Sequence, residues 1–307
     1  MTPRPLHLFD LPLVVRHRDR LLPLDNTYLL TRGHPLQGMG LLRHLHPLQR
    51  LYTGVVKSRE TSLLGSVLQT PGESFARILY LAPETHLTHP SVLALLEHLA
   101  TQAGAWGALH LLAEVDENSE AFPMLRSTGF SVYAWQRMWL LPLAGPTHPS
   151  GWRATRPSDW WAIQSLYAQI VPPLLQAIEP PPRLRHGLLR RQPALCYVGL
   201  SKGWAGAVII PFIPPDVEEA VTSLAALAGD LSRRGTRPVY VRVRSYQAWL
   251  EPMLEDLGAQ TGSRKAVMVK HLAHRVREEQ PANAVRPSAA SIQPSTMAET
   301  YPPSFGR

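Results

Sequence analysis

Three histidine pairs stand at spacings that suit metal ligation: His44 and His46, His86 and His89, His271 and His274. A zinc site needs three or four converging donors, usually with Cys or a carboxylate among them. No HExxH and no carboxylate in a ligand pattern accompanies these pairs, so no metal is expected. The single cysteine, Cys196, sits inside an apolar run and is not placed as a nucleophile. One cysteine also excludes a disulfide framework and a Cys-based zinc site. The chain has no GxSxG elbow, no GxxxxGK[ST] loop and no GxGxxG opening a helix. Serine-hydrolase, P-loop and dinucleotide-binding chemistry are thereby excluded. Acid–base candidates are Glu73, Glu114 and Tyr133, each with a plain alternative as a surface or packing residue. Choosing among them requires hydrogen-bond reach, which spacing does not give.

Charge supplies a second chemical signal. The net charge is +8. It divides as +1 for residues 1–150, +7 for 151–275 and 0 for 276–307. The densest cluster is Arg183, Arg185, Arg190 and Arg191, with Trp160, Trp161, Trp204 and Trp249 in the same half. Arginines interleaved with aromatics can meet phosphate and stack bases. The plainer alternative is a solvated basic surface, with the tryptophans in the core and Arg183–Arg191 capping a helix end.

The elements that must hold such residues follow from periodicity. With 307 residues, 45% hydrophobic and 18% charged, the chain can bury a core as one large domain or two ordinary ones. The longest apolar stretch, Ala205–Pro215, is short and broken by Pro211 and Pro214, so no membrane helix is expected. No apolar run near the start suits a secretory signal, and a cytoplasmic location is the expectation. Strands are predicted at Leu6–Phe9, Tyr52–Ser58, Ser62–Gln69 and Phe75–Ala82. A helix follows from Ser91 to Ala103, a strand over Leu109–Val115, a helix over Asn118–Thr128 and a strand over Phe130–Leu141. The segment Leu11–His46 reads as a helical region broken at Pro23, Gly33 and Pro35.

The second half repeats this programme. Strand Trp152–Ala154 and a helix capped by Asp159 precede strands Ala194–Ser201 and Trp204–Phe212. Helix Val217–Leu231, a strand around Val239–Val243, helix Gln247–Leu257 and strand Ala266–His271 complete it. One strand before the long helix is missing from this reading. The terminating glycines of the two short helices, Gly129 and Gly258, mark the repeat. Leu141–Gly151 reads as a linker. Residues from about Arg277 onward, rich in Pro, Ser and Ala, read as a disordered tail.

The stretch Ala76–Leu140 contains Val115, Asn118, Ala121, Gly129 and Phe130 in that order and spacing. This succession, after a strand and a long helix, resembles the GNAT (GCN5-related N-acetyltransferase) superfamily, present here twice. The match is good over roughly 65 residues and extends weakly to about 270. The resemblance implies an α/β (α+β) fold of two tandem GNAT-like domains, each a mixed, mostly antiparallel sheet flanked by helices. The divisions are 1–143, 144–275 (the degenerate copy) and a tail at 276–307.

The resemblance also implies acetyl-CoA in a V-shaped gap between parallel strands Phe75–Ala82 and Ala108–Val115. Its diphosphate would rest on free N–H groups at the start of the next helix, where unsatisfied donors and a partial positive charge favour anions. The cofactor-binding residues so implied are Leu81, Ala82, His89, Ser91, Val92 and Asn118. The chain departs from the family pattern at Pro90 and Val92, where the phosphate loop has glycines. It departs again at Leu125, where the family often has a Tyr that protonates the leaving thiolate. In the second half Gln247 replaces the Asn, Leu254 the Tyr, and Phe212–Asp216 reads FIPPD. The implied activity is transfer of an acetyl group from acetyl-CoA to a small-molecule or peptide amine, with the first domain holding the cofactor. The alternative is a catalytically inactive binding or scaffold protein whose basic second half contacts acidic or nucleic-acid partners.

Overall fold

A computed structural model of the chain describes residues 2–36, 50–57, 61–142, 151–192, 194–217, 219–232 and 237–272. The first half opens with β1 (Arg4–Pro5), a 3-10 turn at Leu8–Asp10, α1 (Leu11–His17), β2 (Leu22–Pro23) and α2 (Asn26–Arg32). Then come β3 (Arg50–Lys57), β4 (Ser62–Gln69), β5 (Phe75–Ala82), α3 (Ser91–Ala105), β6 (His110–Asp116), α4 (Ala121–Ser127) and β7 (Ser131–Leu140). The second half comprises β8 (Arg153–Ala154), α5 (Trp160–Ile170), β9 (Gly187–Arg190), β10 (Cys196–Lys202) and β11 (Ala207–Phe212). It ends with α6 (Ala220–Ser232), β12 (Val239–Arg244), α7 (Leu250–Asp256), β13 (Gln260–Thr261) and β14 (Lys265–His271).

Periodicity placed most of these elements, because their apolar spacing is what the fold buries. On α3, Val92, Leu95, Leu96, Leu99 and Ala103 are all buried on one stripe. Gly129 at φ 89° and Gly258 at φ 79° end α4 and α7 in the left-handed conformation that L side chains resist. Two expectations are corrected. Leu6–Phe9 is not a strand: the strand is Arg4–Pro5, and Leu8–Asp10 turns because the Asp10 carboxylate accepts from His7 N–H at 3.0 Å. The strand missing from the second half is β9, inside the arginine cluster, where short length and flanking charge hide its alternation. The 37–49 segment, with His44 and His46, the core of the Leu141–Gly151 linker and the 276–307 tail lie outside the described residues.

Among the described residues the strands make one sheet, in the order β1-β3-β4-β5-β6-β14-β7-β12-β11-β10-β9-β8, with β2 on β5 and β13 on β7. The two repeats have exchanged their closing strands. β14, from the end of the second half, pairs antiparallel with β6 along seven residues and with β7 on its other side. β7, from the first half, pairs antiparallel with β12. The cores follow the exchange. Ala266 and Met268 of β14 are packed in the first-half core under α3, and Trp139 of β7 is packed in the second-half core under α6.

The repeat is also visible residue by residue at the start of each half. Arg4 grips Asp10 through two N–H groups at 2.7 and 2.8 Å, and Arg153 grips Asp159 through two at 2.8 Å. Lys57 at 2.6 Å and Arg191 at 2.9 Å add a second cation to each carboxylate. Arg4 first, with Lys57, holds the Asp10 carboxyl well below the ordinary range, and Arg153 with Arg191 does the same for Asp159.

Two outcomes follow from this architecture. Residues 1–142 expressed alone leave the β6 edge unpaired and the sites of Ala266 and Met268 empty. They should be aggregated or unfolded by size-exclusion chromatography and circular dichroism, whereas co-expression with residues 151–274 should restore a folded complex. A monomeric, cooperatively folded 1–142 fragment contradicts the exchange. Second, both paired carboxylates have depressed native pKa values, so their stabilisation is complete above the unfolded Asp value of about 3.9 and is lost as pH falls below it. The melting temperature should therefore drop steeply below about pH 4, and less steeply in Asp159→Asn.

Candidate functional site

The V-shaped gap exists in both halves. β5 and β6 run parallel with pairs only from Phe75↔His110 to Arg77↔Leu112, and then diverge. β11 and β12 pair from Ala207↔Val239 to Ile209↔Val241 and diverge likewise. In the first half a bulge assists: β4 skips from Ser66↔Tyr80 to Val67↔Ile78, leaving Leu79 as the extra residue. In the second half Pro211 has no N–H with which to continue a ladder.

The first gap is filled by the chain itself. β2 pairs with the open edge of β5, Leu22 opposite Leu81 and Pro23 opposite Tyr80. Leu24 N–H then donates to Leu79 O at 2.9 Å, and Leu24 O accepts from Glu114 N–H at 2.8 Å, so one residue bridges both arms of the V. Leu24 is 1% exposed and belongs to the core under α3. Asp25 closes the segment by capping α2, its Oδ1 accepting from Tyr28 N–H at 2.8 Å. The Asn26 N–H donates to Glu114 Oε2 at 3.0 Å.

The six residues that the resemblance assigns to a cofactor lie around this filled gap, and none of them lines the cavity between the halves. Leu81 and Ala82 are buried on β5, the former opposite Leu22. The His89 ring accepts from Ser91 N–H at 3.1 Å and its carbonyl from Val92 N–H at 2.9 Å, so two donors at the start of α3 are already used. Val92 is buried in the core. Asn118 is exposed in the turn after β6, its N–H on Asp116 Oδ1 at 3.1 Å. Leu125 is fully buried.

The second gap differs. Among the described residues no main-chain hydrogen bond from another segment enters it. Just past the end of β12, Gln247 Oε1 and Trp249 Nε1 are buried and have no hydrogen-bond partner. Buried polar atoms are nearly always paired, so this pair is an exception to the rule at the end of β12.

Neither a family model nor any curated protein matches this sequence. Solved structures do. A GCN5-related N-acetyltransferase from Sphaerobacter thermophilus superposes with a TM-score of 0.55 at 15% identity, covering 88% of this chain and 95% of its own. A Pyrococcus horikoshii protein classed among acetyltransferases gives 0.50 at 10% identity and 89% of each chain. A tandem GNAT protein from the clavulanic acid biosynthesis pathway aligns at 18% identity over 74% of this chain and 84% of its own, with a TM-score of 0.45. The chain has the GNAT fold, and its own repeated element order makes it a double one.

Within this GNAT fold the two gaps communicate through buried polar side chains on one face of the sheet. Glu114 Oε2 accepts from Gln136 Nε2 at 2.6 Å, and Gln136 Oε1 accepts from Arg244 Nη1 at 2.8 Å. Glu179, on the loop after α5, accepts from Tyr133 O–H at 3.1 Å and lies 3.3 Å from both Arg242 and Arg244. Burial, and then the charge of Asp25, pushes the Glu114 carboxyl up. Burial raises the Tyr133 hydroxyl as well. Of the acid–base candidates, Glu114 and Tyr133 thus belong to this network, and Glu73 lines a cavity.

That cavity, about 260 Å³, lies between the halves on the same face. It reaches Ile210, Phe212 and Arg242 at the vertex of the second gap, and Asp25 and Arg77 beside the filled one. Pro180–Arg183 and Tyr197 close it. Arg77 Nε stands 4.0 Å from Asp25, and Arg183 is ion-paired with Glu73. Burial pushes the Tyr197 hydroxyl up to about 12, so it remains a hydrogen-bonding group, donating to Arg183 O at 2.6 Å.

The remaining sequence signals resolve plainly. Among the described residues no three His, Cys, Asp or Glu side chains cluster as a metal site. His271 instead meets His110, ring nitrogens 3.1 Å apart. Cys196 is buried, which pushes its thiol up to about 11. Three of the clustered arginines are ion-paired, Arg183 with Glu73, Arg190 with Glu219 and Arg191 with Asp159, and Arg185 is exposed. The expected core role fits Trp249, while Trp160, Trp161 and Trp204 are exposed. Among the described residues no helix is long and apolar enough to cross a membrane. The filling of the first gap had one legible signal, the short Leu22–Asp25 segment ending in a cap residue, which the broken helical pattern of Leu11–His46 concealed.

Truncating Leu24 to Ala keeps the main-chain bridge and leaves a dry void. Leu24→Ala should cost roughly 2–5 kcal/mol in urea unfolding. A change below about 0.5 kcal/mol, the range of ordinary surface substitutions, would show that the side chain does not hold the segment in place.

Proposed function

We propose that the chain is a GNAT-type acyltransferase that binds acyl-CoA between β11 and β12 and receives an amine in the cavity at that gap's vertex. The asymmetry of the two gaps carries this reading. The resemblance directs acetyl-CoA to the first half, but there the main-chain groups that pantetheine would need are bonded to Leu22–Leu24. The second gap has no such bridge among the described residues, and a cavity adjoins it.

The residues of the second gap fit the group in their polar character. Gln247 Oε1 and Trp249 Nε1 supply an unpaired acceptor and an unpaired donor. The turn before α6, Phe212–Asp216, has no glycine, so close backbone approach to a diphosphate is not the means of holding it. Arg190, the last residue of β9, and Arg191 and Arg153 beside it are cations at that end of the sheet, paired with Glu219 and Asp159. Acetyl-CoA would supply the acyl group as a thioester: a neutral amine forms a bond to its carbonyl carbon, the C–S bond breaks, and coenzyme A leaves as the thiolate and takes up a proton. The chain's own part is to orient the amine and accept its proton, and Asp25 and Glu73 are the carboxylates in the cavity wall. Holding the amine in that wall accounts for rate through position, without a nucleophile from the protein.

Hydrogen exchange on the full chain with and without coenzyme A tests this. Protection is expected over residues 210–217 and 242–249 and absent over 79–82. Protection confined to 79–82, or no binding at millimolar coenzyme A, overturns the assignment.

A further inference from the structure

We infer that the cavity between the halves holds a small dianion, a phosphate monoester or a dicarboxylate. The inference goes beyond the acyl-transfer reading and rests on the charge of the cavity wall. Where that reading holds, the acceptor carries the anion.

The charged part of the wall is mostly arginine. Arg32 and Arg77 come from the first half, and Arg183, Arg185 and Arg242 from the second. Asp25 and Glu73 are the carboxylates that line it. Five guanidinium groups thus face two carboxylates, an excess of three positive charges. With Arg32 left aside, four still face two. The layer behind the wall does not cancel this. There Glu179 accepts from Arg242 and Arg244, both 3.3 Å away, so one more carboxylate comes with one more guanidinium. Glu114, whose Oε2 accepts from Asn26 N–H next to Asp25, is a further acid. Burial, and then the charge of Asp25, pushes its carboxyl up towards the uncharged form. Counted as charged, it still leaves an excess of two.

The two wall carboxylates are already answered. Arg77 stands 4.0 Å from Asp25 and 3.8 Å from Glu73, and Arg183 is ion-paired with Glu73. Arg185 lines the cavity, is exposed, and has no ion pair among the described residues. A turn sets it there: Gly187 N–H donates to Leu184 O at 3.1 Å, with Arg185 and His186 as the two central residues. His186 also lines the cavity, and it takes φ 66°, in the left-handed region where glycine is the ordinary residue. A side chain is thus kept at a turn position that favours glycine, beside the arginine without a partner. Guanidinium groups hold carboxylate and phosphate by paired N–H···O bonds, and a cleft lined by one sign of charge concentrates ligands of the other. At about 260 Å³ the cavity falls just below the range for drug-sized ligands, which suits a small molecule and not a polymer.

Isothermal titration of the full chain without coenzyme A, at low salt, tests the inference. The probes are inorganic phosphate, glycerol 3-phosphate and succinate, against acetate, ethanolamine and a short single-stranded oligonucleotide. At least one dianion should bind tenfold or more tighter than acetate and ethanolamine. Tightest binding by either phosphate marks a phosphate ligand, and by succinate a dicarboxylate. Arg185→Ala should weaken that dianion several-fold, with circular dichroism unaltered. Glu73→Gln should tighten it, because a negative charge leaves the wall. Arg126→Ala, exposed on α4 and outside the cavity wall, should leave it unchanged. No dianion binding at millimolar concentration, equal loss in Arg126→Ala and Arg185→Ala, weaker binding in Glu73→Gln, or tighter binding by the oligonucleotide overturns it. Coenzyme A is then titrated onto the dianion-loaded protein. Its binding or failure beside a bound dianion bears on the acyl-transfer reading alone. Displacement of the dianion puts the coenzyme's own phosphates in the cavity and overturns the inference.

Discussion

The exchange of β7 and β14 is the constraint on which the rest of the molecule depends. Each repeat buries its own long helix against a sheet whose fifth strand, β6 or β12, is paired on its outer edge by a strand from the other repeat. Ala266 and Met268 complete one core and Trp139 the other. Burial of these side chains and the ladder bonds of two long strand pairs therefore stabilise both halves at once. The arrangement also brings Tyr133 and Gln136 of β7 beside Arg242 and Arg244 of β12, so a buried polar network can cross from one gap to the other.

That shared frame carries two unequal gaps. Both arise from the same cause, parallel pairing that stops after three residue pairs. In the first, a short peptide supplies the donors and acceptors that the splayed strands lack, and Leu24 fills the apolar space. In the second, the splayed edges have no such visitor among the described residues, and polar atoms at Gln247 and Trp249 are left over. The cavity is built by both repeats: Asp25, Glu73 and Arg77 come from the half with the filled gap, and Ile210, Phe212 and Arg242 from the other. A filled gap thus gives the first repeat a fixed wall to offer the second.

Much of this was legible in the sequence. Strong periodicity fixed β4 and β5 to the residue and α3 to within two. Gly129 and Gly258 marked the repeat because left-handed helix ends select glycine. What was not legible depended on distance along the chain. Strand exchange joins residues more than a hundred positions apart, and a strand's alternation does not name its neighbour. β2 is two residues long, too short for any period, and β9 is embedded among arginines. The ion pairs of Glu73 with Arg183 and of Glu179 with Arg242 and Arg244 are likewise products of tertiary placement, so neither the cavity nor its charge balance could be read from spacing.

The matched Arg4–Asp10 and Arg153–Asp159 pairs, at the two outer ends of one sheet, have a further meaning. The order of strands reads the same from either end, so the molecule has an approximate internal dyad between β14 and β7. A symmetric pair of separate subunits exchanging tails would present this same sheet, but every mutation there would be made twice. Written as one polypeptide, the two copies are released from that duplication, and one cleft can be sealed with peptide while its twin is kept for other uses.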